Sequence, residues 1–449
     1  MSVVLRRLLL PGRRPTTTSR RALCAPVRAL CAPVRTLDKA ELKQLTLRVV
    51  DDLAGATATQ LIYIGDKIGL FKEMAQAGPL TATALAQRVR CHPRYVETWL
   101  DACVAHSFAE KSAPQQTYSM TAAQVEVLAN DGGRFCQVGG AQMIAAQGMQ
   151  LGAIIERGFR AGGGVSFAEF GPDAREGVCR VSQTVVRDLL PQWLRDLPES
   201  AAVLEGGQEA RGGSVGGDGD GDGGGDGGGG SGSVRVLDVG CGLGESSLAL
   251  SRAFPHATIL GIDPDKASVA GARDRLRGGA TGAGANGPRA RGTDGADEDG
   301  PVAFAACRIE DRAAISAATG SDPFDVILAY DCVHDMADPL GSLRAIRSLL
   351  APRGVFLWFE PHGSDDPYEN REILGARMVA GIALTCVTNS MAHGGAGLGA
   401  HGCTPLRAEA LAREAGFATF RHDRGMKGAA LRNNVYVCTV GGAGHPEAQ

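Results

Sequence analysis

The nine residues Val236-Leu237-Asp238-Val239-Gly240-Cys241-Gly242-Leu243-Gly244 are the part of this 449-residue chain best equipped to hold a ligand. An apolar run leads into three glycines at alternate positions, and a residue without a Cβ lets backbone approach a ligand closely. A helix is expected from Glu245. A second apolar run, Thr258–Ile262, ends in Asp263, placed to accept hydrogen bonds from ribose hydroxyls. Strand, glycine turn, helix and an acid after the next strand describe a nucleotide-binding half of a doubly wound sheet. A dinucleotide fingerprint would need a third glycine at position 245, where Glu245 stands; here the third glycine is Gly244, and Asp238 precedes the first by two.

That D-x-G-x-G-x-G form resembles motif I of class I S-adenosylmethionine-dependent methyltransferases. The resemblance implies S-adenosylmethionine as cofactor, held at Gly240, Gly242, Gly244 and Asp263. Asp238 would take its cationic amino group directly or through water. From about residue 40 on, the strings VLDVGCGLGESSLALSRAFP, ILAYDCVHDMADP, LLAPRGVFLWFEP and LGAHGCTPLRAEALAREAGF are similar to a winged-helix class I methyltransferase family known from mycobacterial and other bacterial proteins. The implied architecture is α/β: a Rossmann-like, seven-stranded sheet preceded by an α-helical winged helix-turn-helix domain.

Part of the chain also resembles plant-type small-molecule O-methyltransferases, in which a His-Asp pair after the fourth strand supplies the base that deprotonates a phenol. The matching residues are His334 and Asp335. A hydroxyl acceptor gains from a base titrating near neutrality, and histidine is that base. A carboxylate beside it, Asp335 or Glu360, would fix the tautomer. His362 and His393 are secondary candidates. Tyr330 and Asp331 are expected to line the methionine end of the cofactor. Where many class I enzymes carry an acid for the adenine amino group, this chain has Arg308. Either Glu310 takes that role in a shifted register, or backbone at Ile309 does.

These groups must be positioned by several elements. Residues 38–130 read as a winged helix: apolar residues at helical spacing from Leu45 to Ile68, a short helix near Ala84–Val89, a second from Pro93, then extended pieces at Phe108–Lys111 and Thr117–Met120. That second helix offers Arg94 against Glu97 and Asp101, a poor balance for DNA, so no nucleic-acid partner is expected. Residues 131–200 read as connecting helices. The methionines of Ala141–Phe159 suit core packing better than a substrate pocket, and Arg187–Leu197 should pack on the catalytic domain. That domain, residues 234–440, alternates strands and helices, including a helical region at Pro367–Thr385 and an antiparallel pair at its end.

Gly/Asp-rich tracts at 206–233 and 278–300 cannot bury a core and read as disordered insertions. The first 37 residues carry Arg6, Arg7, Arg13, Arg14, Arg20, Arg21, Arg28 and Arg35 and no acid. They read as a transit peptide, mitochondrial rather than plastid, or else as a basic tail on a cytoplasmic protein. A net charge of −3 points to no polyanionic partner, and no apolar run is long enough for a bilayer. The twelve cysteines include no C-x-x-C and no Cys/His spacing of a zinc site, so no metal is expected. The expected activity is methylation of a small organic molecule at oxygen. The family likeness implies a homodimer through the N-terminal domain. The competing reading is a non-catalytic S-adenosylmethionine-binding regulator whose winged helix binds DNA.

Overall fold

A computed structural model describes residues 37–204, 233–278, 301–373, 375–423 and 433–441. The segment expected to be a transit peptide and the two Gly/Asp tracts lie outside the described residues, save at their edges. Contacts divide the chain into Met1–Ala56 and Thr57–Gln449. In the first, the described residues are helical from Lys39, in a helix that continues to Ile68.

The winged-helix elements form as local sequence dictates. Thr81 caps the helix Ala82–Arg88 by accepting from the Ala84 amide, and Pro93 opens the helix Pro93–Ala105, where a missing N–H costs nothing. Strands β1 (Glu110–Ser112) and β2 (Thr117–Ser119) pair as the expected hairpin. Phe71 meets Trp99 edge-on at 4.9 Å, and Trp99 Nε1 donates to the Leu61 carbonyl at 2.9 Å. Arg94 is paired with Glu97 and Lys111 with Asp101, so the basic groups of this unit are partly neutralised.

Seven strands build the second sheet: β3 (Val234–Val239), β4 (Ala257–Ile262), β5 (Val302–Ala305), β6 (Phe324–Tyr330), β7 (Leu350–Pro361), β8 (Thr419–Asp423) and β9 (Asn433–Thr439). Their spatial order is β5-β4-β3-β6-β7-β9-β8, with β9 antiparallel to both its neighbours. In the register, Val239 lies beside both Ile262 and Ala329, and Tyr330 beside Phe359. Gly240, Asp263 and Asp331 therefore leave the sheet at one edge, beyond the carboxyl ends of their strands, and Glu360 stands at the same end of β7, still paired with Asn434; open α/β sheets bind ligands at this edge.

The helix Leu190–Asp196 packs against this sheet as expected: Trp193 stacks on Phe359 with 5.9 Å between ring centroids. Two expectations fail. The helical region placed at Pro367–Thr385 is instead a helix at Ala376–Ala392, because Gly375 before it is left-handed (φ 79°) and Glu369–Arg371 makes only a single tight turn. The segment Ala141–Phe159 is not chiefly core: Ile154 is buried, Met149 and Phe159 are exposed, and Met143 faces a cavity.

Candidate active site

One cavity of about 840 Å³ runs along this sheet edge. Its floor is Gly240, Gly242, Asp263, Ile309, Tyr330 and Asp331. Its other walls come from the helices Val138–Met149, Phe167–Thr184 and Ala376–Ala392.

The glycine turn is built for close approach. Gly240 has φ 71°, and a Cβ there would come within 2.7 Å of Cys332 Cβ. Gly240 and Cys241 donate their amides to the Ile262 carbonyl at 2.8 and 3.0 Å, tying the turn to β4. Asp263 accepts from the Gly242 amide at 3.0 Å and from the Asp265 amide at 2.8 Å. Burial outweighs those amides and pushes its carboxyl up to about 6.

Two residues assigned to the cofactor lie elsewhere. Asp238 is 1% exposed and does not line the cavity; its Oδ2 accepts from Ser246 Oγ at 2.5 Å and Ser247 Oγ at 2.6 Å. It fastens the start of the following helix to the strand and does not itself reach the cavity, a role the adjacent serines could have signalled. Gly244 is also off the cavity wall. It is the left-handed residue before the helix (φ 81°), and a Cβ there would meet Phe304 at 2.7 Å, so it permits helix–sheet packing.

At the other expected positions, Ile309 and Glu310 both line the cavity, and Glu310 Oε1 accepts from Ser342 Oγ. Asp311 caps the next helix by accepting from the Ala314 amide at 3.0 Å. Tyr330 and Asp331 line the wall, and Tyr330 Oη donates to Asn433 Oδ1 at 3.3 Å. Asp331 adopts φ 55°, a conformation aspartate tolerates better than most residues, and its amide donates to the Phe359 carbonyl at 2.8 Å. Burial pushes its carboxyl up to about 6, with His334 opposing the rise.

His334 lines the cavity and is otherwise enclosed. Its Nδ1 is hydrogen-bonded to Glu360 Oε2, and Glu360 Oε1 accepts from Trp358 Nε1 at 2.6 Å. Its Nε2 lies 3.4 Å from Asp335 Oδ1. Burial alone would lower the imidazole's pKa, but the carboxylates of Asp335 and Glu360 prevail and hold it well above the usual value. Of the two carboxylates considered, Glu360 orients the ring. His362 and His393 also line the cavity, with His362 Nδ1 tied to Asn434 Oδ1 at 3.1 Å. Sequence reasoning missed Cys386, Asn389 and Phe170, which reach the cavity from helices carrying no motif.

The donors fit a cationic nucleoside cofactor. A glycine cradle that a Cβ at Gly240 would crowd, a half-buried carboxyl at Asp263 and an exposed one at Asp331 share one wall. Residues 237–356 match a family described as a methyltransferase domain, and residues 56–130 one described as an Rv2258c-like winged HTH domain. No curated protein matches the chain. Among solved structures, mitomycin 7-O-methyltransferase MmcR is 19% identical with a TM-score of 0.56, covering 90% of this chain and 100% of its own. An O-methyltransferase family protein from Burkholderia thailandensis is 14% identical with a TM-score of 0.57, covering 91% and 100%. Human N-acetylserotonin methyltransferase, determined with S-adenosylmethionine, is 18% identical with a TM-score of 0.54, covering 91% and 99%. The chain thus carries a methyltransferase domain of the expected class I fold behind a winged-helix domain.

Proposed function

We propose that this protein is an S-adenosylmethionine-dependent methyltransferase acting on a hydroxyl of a small organic molecule, with His334 as the base. The observation that carries this reading is a single cavity lined both by the Gly240–Gly242 turn with Asp263 and by His334. Two of the structural neighbours, by name, methylate small molecules: mitomycin at an oxygen, and N-acetylserotonin.

The bound cofactor supplies a methyl group already activated on a sulfonium, so the protein's task is mainly positioning. Asp263 and the glycine turn hold the nucleoside. Asp331 would take the cationic end, and Ile309 and Glu310 would hold the base. The hydroxyl proton passes to His334 Nε2. Glu360 keeps the Nδ1 proton in place and stabilises the imidazolium that results, while Asp335 steadies the Nε2 side. Apolar side chains such as Met143, Phe167, Phe170, Met378 and Ile382 favour an acceptor that is largely hydrophobic.

The winged helix serves the enzyme rather than DNA, in keeping with the pairing of Arg94 and Lys111 to acids. It joins two copies of the chain, and the arginine-rich N-terminus directs the protein to an organelle, the mitochondrion before the plastid. The test is methyl transfer from radiolabelled S-adenosylmethionine to a panel of phenolic and hydroxylated metabolites. Labelled product from an acceptor hydroxyl supports the reading. Cofactor binding with salt-sensitive DNA retardation and no transfer to any acceptor favours the regulator.

A further inference from the structure

The side of the His334 ring away from Glu360 meets two groups from different parts of the chain. Asp335 follows His334 directly; Cys386 arrives from the helix Ala376–Ala392. The donor atoms of the three lie within 4.8 Å of one another, and all three residues line the cavity. Asp335 Oδ1 is buried with no hydrogen-bond partner. Its 3.4 Å separation from His334 Nε2 is about the edge of a tetrahedron with bonds of ~2.1 Å, the usual length from zinc to nitrogen or oxygen.

We propose that His334 Nε2, Asp335 Oδ1 and Cys386 Sγ form a three-donor site for a zinc-class divalent cation, with its fourth position open to the cavity, and that the cation inhibits the enzyme. One imidazole, one carboxylate and one thiolate suit zinc, whereas magnesium and calcium want oxygen alone. The outer partner is already present: Glu360 holds Nδ1, as carboxylates do behind metal-bound histidines. On binding, the proton of the Cys386 thiol and any proton on His334 Nε2 are released to solvent, and the metal takes both positions. No zinc spacing exists in the sequence because the thiol is supplied by another element. Inhibition follows from the role proposed above for Nε2 as proton acceptor, and that part rests on the methyltransferase reading; the site itself does not.

The test uses the full-length protein stripped with a chelator. Zinc chloride is titrated against a competing chromophoric chelator, and cobalt chloride is added as a spectroscopic probe. The expected result is one bound ion, a tetrahedral cobalt spectrum and a thiolate-to-cobalt charge-transfer band. Cys386→Ala should erase that band and weaken zinc binding by more than ~10-fold, a loss that even outer-shell changes reach. Asp335→Asn should weaken it too, and Cys91→Ala, a half-buried thiol at a turn, should change nothing. S-adenosylhomocysteine binding by each variant checks folding. A cobalt spectrum without the thiolate band, or zinc affinity unaltered in Cys386→Ala, overturns the site. These titrations involve no methyl transfer, so their failure is separate from failure of the methyltransferase reading. If zinc binds here yet leaves the transfer rate of an active preparation unchanged, the inhibitory role is overturned.

Discussion

Glu360 grips the two aromatic nitrogens on either side of it: one carboxylate oxygen accepts from Trp358 Nε1 at 2.6 Å, and the other is hydrogen-bonded to His334 Nδ1. The carboxylate is wholly buried and ties the His334 ring to the Trp358 indole. Glu360→Gln keeps the shape and removes the charge. A hydrogen bond to a charged group is worth about 1.5–3 kcal/mol, so kcat should fall by roughly 10- to 150-fold. KM and S-adenosylhomocysteine affinity should hold. His334→Ala, which removes the base itself, should cost roughly 10²- to 10⁴-fold in kcat. Single-turnover kinetics separates these from effects on binding.

The pH profile follows from the same ring. A base works when neutral, and the neutral fraction grows as pH rises through its pKa. Asp335 and Glu360 hold the imidazole above its ordinary 6.5, against the pull of burial, so the acid limb of kcat/KM should lie above that value. Asp335→Asn should move the limb to lower pH. A limb at or below 6.5 in the wild type, unmoved by the substitution, would argue that His334 is not the group titrating.

Cofactor affinity should depend on Asp263. Asp263→Ala removes a carboxylate that also tethers the Gly242 amide at 3.0 Å. By the same range for a charged hydrogen bond, affinity should drop roughly 10- to 150-fold. Because burial raises this carboxyl to about 6, wild-type affinity should weaken as pH falls through about 6, where protonation removes its charge. Equilibrium binding of S-adenosylhomocysteine across that range checks both.

Gly240→Ala should fail for two reasons that the backbone already states: φ is 71°, and the new methyl would sit 2.7 Å from Cys332 Cβ. The expected cost is about 1–3 kcal/mol of stability with loss of cofactor binding, read by thermal melting with and without S-adenosylhomocysteine. Gly242→Ala meets no atom within 4 Å, so its cost should come from φ alone.

Most of this site was legible because its residues follow strands in sequence order. Gly240, Asp263 and Asp331 each follow a parallel strand at its carboxyl end and Glu360 lies at the carboxyl end of β7, so parallel register gathers them at one edge. Asp238 misled because a strand's alternation places it one step before the edge, where the hydroxyls of Ser246 and Ser247 take it inward. Cys386 and Asn389 were out of reach for another reason. They stand on a helix whose start is set by left-handed Gly375, and nothing in the local spacing says which of its faces meets His334. The wall residues Met143, Phe167 and Phe170 likewise become cavity lining only through helix packing across long sequence separations.

The most direct test is calorimetric titration of the full-length protein with S-adenosylhomocysteine, in parallel with Asp263→Ala. The predicted result is one-to-one binding by the wild type and a loss of at least ~10-fold in the variant. Absence of binding by folded wild-type protein, or equal binding by both, would contradict a cofactor site built on the Gly240 turn and Asp263.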